Sequence, residues 1–528
     1  MFFFASLLAV VAGLLLAVNL FRHATVRVAV PGGTYKEGIV GQPIYINPVI
    51  SGSNDTDRDL IRLIFSNVND IAEKIEPSKD GKVWSVRILD GVSWHDGEPL
   101  TSDDIIFTIQ SILDPESHSP IQDTFRDVSV NRVSERELTL TLPTPYVFFK
   151  DNLKNLYVVP KHVFESVPVA NWRLSSYNLE PVGSGPYAVT GSVVQRSGFI
   201  SELTLSRNKS YVRGEPLIET MIASFFKNED ELLDAFNTAR IDGFFLANPD
   251  RISAIRRSHQ LFRLPTSLSY AVFLNQSTNT ALKDSNVRLA LHSALDRDEL
   301  VRAVLEGNGV PSYGPLGRLM ENPSSTTAQG TFTTDFANQV LDRGGWSLGD
   351  DGVRRKGNLS LQFRLAVPEY SSLVESARFL EDAWRKIGVK IEVQVFPPSE
   401  VNRDLIRSRN YEMMLFGNSL WSPDLFSFWH SSERFYPGLN LALYDNKAAD
   451  RLIESIRKNF DDATRVRDLI SLDSLIAQDL PAIFLYSPDY AYVATSNFGG
   501  LGEGLLVTAS DRFHGAEGWH VRSALNLK

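Results

Sequence analysis

The chain opens with MFFFASLLAVVAGLLLAVNLF, residues 1–21, a run that is apolar on every side of a helix. About 20 such residues at 1.5 Å each reach roughly 30 Å, the thickness of a bilayer's hydrocarbon core. The run predicts an N-terminal transmembrane helix acting as an export signal or membrane anchor. No convincing small-x-small cleavage site follows it, so a retained anchor is expected. Arg22 and Arg27 follow the run and no basic residue precedes it, a charge order that alone favours a cytoplasmic body. A buried core helix is the competing reading, and a terminal run with no polar face argues against it.

Past a short linker the pattern changes to short alternating segments. Tyr35–Val40 reads as a strand, leading into a loop with Pro43 and Pro48 and then a polar cluster, Ser51–Asp59. Leu60, Leu63 and Ile64 then repeat at helical spacing. Asp55, Asp57 and Asp59 alternate as in a calcium loop, but Leu60 stands at the obligatory glycine and Ser66 at the closing glutamate. Acidic capping of a helix N-terminus explains them better. Val83–Leu89 alternates as a strand. In VSWHDGEPLTSDDIIFTIQSILDP, Asp96-Gly97 makes a turn and Thr101 with Asp104 forms a capping box. Ile105, Ile106, Ile109 and Ile112 give the buried stripe of a helix that ends at Asp114-Pro115. His95 has no partner at a catalytic or metal-binding spacing and reads as a structural turn histidine.

Val128–Val133 and Glu137–Leu142 read as paired strands. A strand at Thr220–Phe226, a helix at Glu229–Ala239 and a return through Ile241-Asp242-Gly243 form a strand–helix–strand unit. The same order recurs at 359–396, with an amphipathic helix at Ser371–Ile387. Two such units predict two α/β lobes with partly parallel sheets. Residues 268–275 (LSYAVFLN) and 482–493 (AIFLYSPDYAYV) would each cross between the lobes, making a hinge and a cleft.

Composition narrows the function classes. The 528 residues exceed what one core supports, and 43% are hydrophobic and 22% charged, as in ordinary globular proteins. A formal charge of −10 without a basic run makes nucleic acid an unexpected partner. There is no cysteine, which excludes disulfides, thiolate metal sites, a cysteine nucleophile and the acylated cysteine of a lipoprotein. No G-x-S-x-G, H-E-x-x-H or phosphate-loop motif occurs, and GGLGEGLL at 499–506 does not fit a dinucleotide fingerprint. The nine histidines are scattered. No enzyme, metal or cofactor is expected; a hydrolase assembled from distant residues is the alternative from another class, and a sensor ectodomain a third.

The ordered segments resemble the oligopeptide and dipeptide binding proteins, solute-binding protein family 5. WHDGEPLTSDDIIFT at 94–108 is similar to the family's W-H-D-G-x-P-[LF]-[TN]-A-x-D-V-x-[FY]. GSGPY at 183–187, SRNKSY at 206–211, the IDG return at 241–243, the block at 286–316 and YEMMLFGNSLWSPDLFSFWHSS at 411–432 follow in order. The resemblance implies a type II periplasmic-binding fold: lobe I from 32–52, 179–270 and 483–528, an extra α+β domain at 53–178, and lobe II at 271–482. It also implies an extracytoplasmic, monomeric receptor that closes over a peptide and presents it to an ABC permease, held at the membrane by its N-terminal segment. Nickel chelates or oligosaccharides are the alternative ligands. The family aspartate that fixes a peptide's α-ammonium is matched by Asp424, although the usual D-P-D is reduced here to S-P-D. Tyr270, Asn275, Asn418 and Trp421 are the expected cleft-lining residues. No arginine counterpart for the ligand carboxylate is evident.

Overall fold

A computed structural model describes residues 25–246, 249–320 and 333–527. The predicted membrane segment, 1–21, lies outside the described residues. Among them, no helix is long and apolar enough to cross a membrane.

A twelve-stranded sheet organises the chain, and one strand of thirteen residues, Ala482–Ala494, belongs to both of its halves. Its C-terminal part pairs antiparallel with Gln260–Pro265 and with Gly243–Leu246. Beyond Gly243–Leu246 the order continues through Thr34–Val40, Thr220–Phe226, Ile200–Arg207 and Tyr187–Val194. Its N-terminal part pairs with Ser269–Leu274 and Gly309–Pro311, and the order runs on through Met413–Asn418, Gln362–Pro368 and Lys390–Phe396. The chain also passes from Gln260–Pro265 to Ser269–Leu274 through Thr266–Leu268. Two connections therefore join the halves side by side.

At this junction the register slips by a residue between Tyr270 and Ala271, a bulge that bends the ladder. Residues 482–487 and 491–494 are buried, whereas Pro488, Asp489 and Tyr490 are half-buried. The proline brings no N–H to this stretch. Thr266 Oγ1 donates to the Pro488 carbonyl at 2.7 Å, and Arg318 pairs with Asp489 at 2.5 Å.

Each half rests on a parallel unit. In the first, Thr220–Phe226 leads to helix Glu229–Asn237, whose N-cap Asn228 accepts from the Glu231 N–H, and the chain returns in Gly243–Leu246. Both strands lie parallel to Thr34–Val40 between them. In the second, Gln362–Pro368 and Lys390–Phe396 pair in parallel across helix Ser371–Arg385. The buried runs Phe363, Leu365, Val367 and Leu373, Leu380, Trp384 meet in its core. A four-stranded antiparallel sheet, Ala72–Pro77, Val83–Ile88, Glu137–Thr141 and Ser129–Ser134, backs helix Ser102–Leu113, with the expected Thr101–Asp104 capping box. Its Trp84, Val86, Leu138 and Leu140 share one core with Tyr35, Leu203 and Trp519 of the first half.

The tryptophan–histidine motif is a clamp in this frame. The His95 backbone N–H donates to the Gly183 carbonyl, its Nδ1 accepts the Gly183 N–H, and its Nε2 lies 3.0 Å from the Gly185 carbonyl. With Nδ1 accepting, Nε2 carries the proton. Burial lowers the His95 pKa, keeping that neutral tautomer. The clamped turn packs directly on helix Asp55–Ile64: a Cβ on Gly183 would stand 1.9 Å from the Ile64 carbonyl oxygen. The aspartates of that helix also have structural partners. Asp57 accepts the Ile44 and Tyr45 N–H groups and Asp59 pairs with Arg512, so these aspartates brace neighbouring segments, while the helix is capped by Asn54, which accepts the Thr56 N–H.

In the second half, helix Asp462–Asp479 buries Asp473 against Gly314 with its Oδ2 unpartnered. Desolvation pushes its carboxyl up to about 6. A folded pKa above the unfolded value costs stability as the pH rises, from nothing below about pH 4 to its full amount above about pH 6. Asp473→Asn should therefore stabilise the protein by about 2 kcal/mol at pH 8 and by much less at pH 4.5, read from urea midpoints. Gly183→Ala should lose about 2 kcal/mol or more at either pH, because the clash is with backbone that cannot step aside.

Candidate functional site

Three cavities lie in series where the halves face each other. One of about 310 Å³ is walled by Arg62, Asn67, Leu264, Trp421 and the glycine-rich stretch 502–507. A second of about 300 Å³ shares Arg62, Asn155 and Trp421 with it and adds Pro48, Ile121, Phe125 and Tyr157. A third of about 700 Å³ shares Thr124 and Asn152 with the second and is bounded by Tyr146, Asp424, Phe426, His430 and Arg457. Trp421, 46% exposed, follows strand Met413–Asn418 of the second half and reaches the helix Asp55–Ile64 of the first. The Arg62 guanidinium carbon lies 6.0 Å from its ring centroid and 5.5 Å from that of Tyr157. Arg62 also pairs with Asp511 and donates to the Tyr157 hydroxyl.

Beneath the first cavity runs a buried charge network. Arg512 bonds Glu37 at 3.0 Å and Asp59 at 2.7 Å, and all three side chains are at most 6% exposed. Tyr492, on the long shared strand, donates to Glu37 at 2.6 Å and meets the Tyr35 hydroxyl at 2.7 Å. Desolvation raises the Glu37 carboxyl, with Arg512 opposing it. Desolvation works against the Arg512 charge too, but Asp59 and Glu37 more than compensate and raise its pKa. The network ties strand Thr34–Val40, helix Asp55–Ile64, the shared strand and the C-terminal turn together under the groove.

Residues 67–434 match the family described as bacterial extracellular solute-binding proteins, family 5 Middle. That span exceeds half of the chain. The protein belongs to this family. The oligopeptide-binding protein AppA of Bacillus subtilis is 26% identical over 488 residues, 89% of each sequence. The AppA structure in complex with a nonapeptide superposes with a TM-score of 0.69 at 24% identity, covering 93% of this chain and 99% of that one. The substrate-binding protein CtaP of Listeria monocytogenes superposes with a TM-score of 0.78 at 24% identity, over 93% and 99%. NikZ of Campylobacter jejuni, solved with Ni(L-His), gives 0.71 at 23% identity, over 92% and 99%. These likenesses establish the mixed α/β periplasmic-binding fold.

The expected site residues of this family 5 protein separate in space. Trp421 lines two of the cavities and Asp424 the third. Asp424 is not a waiting acceptor, however. Its Oδ1 takes the Phe426 N–H at 3.1 Å, while Oδ2 takes the Tyr146 hydroxyl at 2.9 Å and lies 3.1 Å from Arg457 Nε. Asn275 is buried, donating to the Arg409 carbonyl and accepting from the Ser277 N–H and hydroxyl. With donor and acceptor both spent on loop geometry, it serves the fold. Tyr270 packs its ring 5.5 Å from Tyr486 beside the hinge bulge, and Asn418 ends its strand opposite Ser269.

Residues that were not singled out from sequence build much of the groove. Arg62 carried a signal, a charge set between Ile61 and Leu63 in an apolar stripe. So did the glycine-rich stretch 499–506, whose small residues form a wall rather than a nucleotide cradle. Tyr146 and Arg457 carried none.

Arg512→Met should remove about 3–5 kcal/mol of stability by stranding two buried carboxylates. The loss should be larger at pH 8 than at pH 5, because Glu37, already raised, sheds its penalty by protonating. Urea denaturation at the two pH values checks both statements.

Proposed function

We propose that this family 5 protein captures peptides in the groove between its halves and hands them to an ABC permease on the outer side of the membrane. The observation that carries this reading is the series of wall-sharing cavities lined from both halves, beside two connections that join those halves. Such a seam is the geometry of a clamp, in which ligand contacts favour the closed arrangement over the open one. The groove suits an extended, varied guest. Trp421 and Tyr157 offer broad apolar faces, and Asn67, Asn152 and Asn155 offer amide hydrogen bonds that suit a peptide backbone. The name of AppA and its nonapeptide complex support peptide as the ligand class.

In this reading lobe I comprises 32–52, 179–270 and 483–528, the extra domain 53–178, and lobe II 271–482. Residues 1–21 hold the receptor at the membrane surface, and the protein works as a monomer with no cofactor.

A mixed pentapeptide library should raise the melting temperature by mass action, by about 2.7 kcal/mol of added stability at 100 times the dissociation constant. Mass spectrometry should recover the peptides uncleaved. Trp421→Ala should weaken the shift at least fivefold in apparent affinity while leaving the ligand-free melting temperature within a degree, since the ring is half-exposed. No shift with any peptide would reject the ligand class, and cleavage would move the protein to the hydrolases.

A further inference from the structure

We infer that the segment Tyr146–Phe149 is a second pivot of the molecule, a non-covalent bridge that stays shut while the groove opens and closes. The inference rests on the clamp reading above and fixes the axis about which the halves turn.

The segment straddles the seam and sends neighbouring side chains to opposite sides. Phe148 is buried in a core of the second half that also holds Leu425, Trp429 and Ile456. Phe149, the next residue, is buried in the core of the first half, its ring centroid 5.8 Å from that of Trp84. The second half answers in kind. Phe460, just past helix Lys447–Lys458, packs against that first core with its ring centroid 6.2 Å from Trp84. Gly81 makes room for it, since a Cβ there would clash with the ring. Between the exchanged rings the backbones meet: the Val147 N–H donates to the Arg457 carbonyl at 2.8 Å. Tyr146 packs against both cores and donates its hydroxyl to Asp424 at 2.9 Å.

An exchange of this depth separates a pivot from a latch. A latch parts at each opening, and parting this one would bare Phe148 and Phe460 to water. Each ring would weight the balance against opening by roughly tenfold to a hundredfold. A clamp that loads from its open arrangement would then be held shut when empty. A bridge that keeps its rings buried avoids that bias, because interdigitated side chains move with the neighbours that enclose them.

The place of the bridge decides what it does. The cavities run in series from Leu264, beside the Thr266–Leu268 connection, to Tyr146 and Arg457. The strand junction therefore holds one end of the groove and the bridge holds the other. Two bodies held at two separated places keep one rotation, about the line that joins them. The hinge is then not a point at the shared strand but a line along the groove.

Hydrogen exchange read by mass spectrometry on the whole chain, with and without a saturating mixed pentapeptide library, tests this. Amides of 146–149 should exchange about a hundredfold more slowly than an unstructured segment, equally in the free and the peptide-bound protein. Residues 502–505, in the wall of the first cavity, should slow by about fivefold or more when peptide binds. A spin-label pair flanking the bridge at exposed positions, Lys150→Cys with Arg451→Cys, should keep its separation on binding. Phe460→Ala, which withdraws the second half's ring from the first core, should speed exchange at 146–149 by about tenfold. Exchange at 146–149 that is fast in the free protein and slows about tenfold with peptide would reveal a latch and overturn the inference. A shift of the flanking label pair, or a bridge indifferent to Phe460→Ala, would overturn it too. A library that leaves 502–505 unchanged would overturn the peptide reading alone, and the protection of 146–149 in the free protein would still uphold the bridge or sink it.

Discussion

A single backbone ladder holds this protein in register with itself. Strand Ala482–Ala494 hydrogen-bonds to Gly243–Leu246 and Gln260–Pro265 with one end and to Ser269–Leu274 with the other, so the two halves share a structural member instead of merely touching. A strand resists stretching and shear but tolerates twist and bend, above all where its ladder is interrupted. The interruption here coincides with the junction, at the bulge near Tyr270 and the half-buried Pro488–Tyr490. The halves are thereby free to rotate about a line and constrained in almost every other direction. A groove beside such a line lies where a turn of the halves would change the separation of its walls, and Phe148, packed in the second half's core, bridges it.

Charge around the groove is paired in advance. Arg62 has Asp511, Arg512 has Glu37 and Asp59, and Arg457 has Asp424, while at the strand junction Arg318 has Asp489. Buried ions without partners are costly, and removing one member of a pair exposes that cost. Pairing lets the walls stay polar whether or not a guest is present, and it presents side chains of many kinds with near-neutral surroundings. In the proposed reading, recognition falls on the backbone that all peptides share, with Trp421 supplying contact that depends little on side-chain identity. The four-stranded sheet contributes Tyr146 and Val147 from the segment just after it, which bond to Asp424 and Arg457 of the second half. Its core is continuous with the first half, while the adjoining Phe148 is buried in a core of the second.

Much of the fold was legible because its signals are local. Thr101 with Asp104 marked a helix start, Asp114-Pro115 marked its end, and the alternation of 359–396 gave a strand, a helix and a strand. The tryptophan–histidine segment was legible as a turn but not as a clamp, since Gly183 and Gly185 lie some ninety residues away in sequence from His95. The groove was legible only in part. Trp421 stood out by type and position. Asp424 was identifiable as an acid in the right segment, yet its state depends on Tyr146, 278 residues distant, and on a later helix. No periodicity encodes such a meeting. Asn275 shows the converse: a polar residue at the end of a crossover strand resembles a ligand contact until its loop partners, the Arg409 carbonyl and Ser277, are placed.

The central claim is that the halves turn about the shared strand and close over a peptide. The absence of native cysteine makes a direct measurement clean. Ser53→Cys, at the rim of the first half, and Phe435→Cys, exposed on the second, would carry a pair of spin labels whose separation is read by pulsed dipolar spectroscopy. Saturating peptides should move the distance distribution to shorter values and narrow it. A distribution unchanged by peptides that calorimetry shows to be bound would contradict closure about this strand.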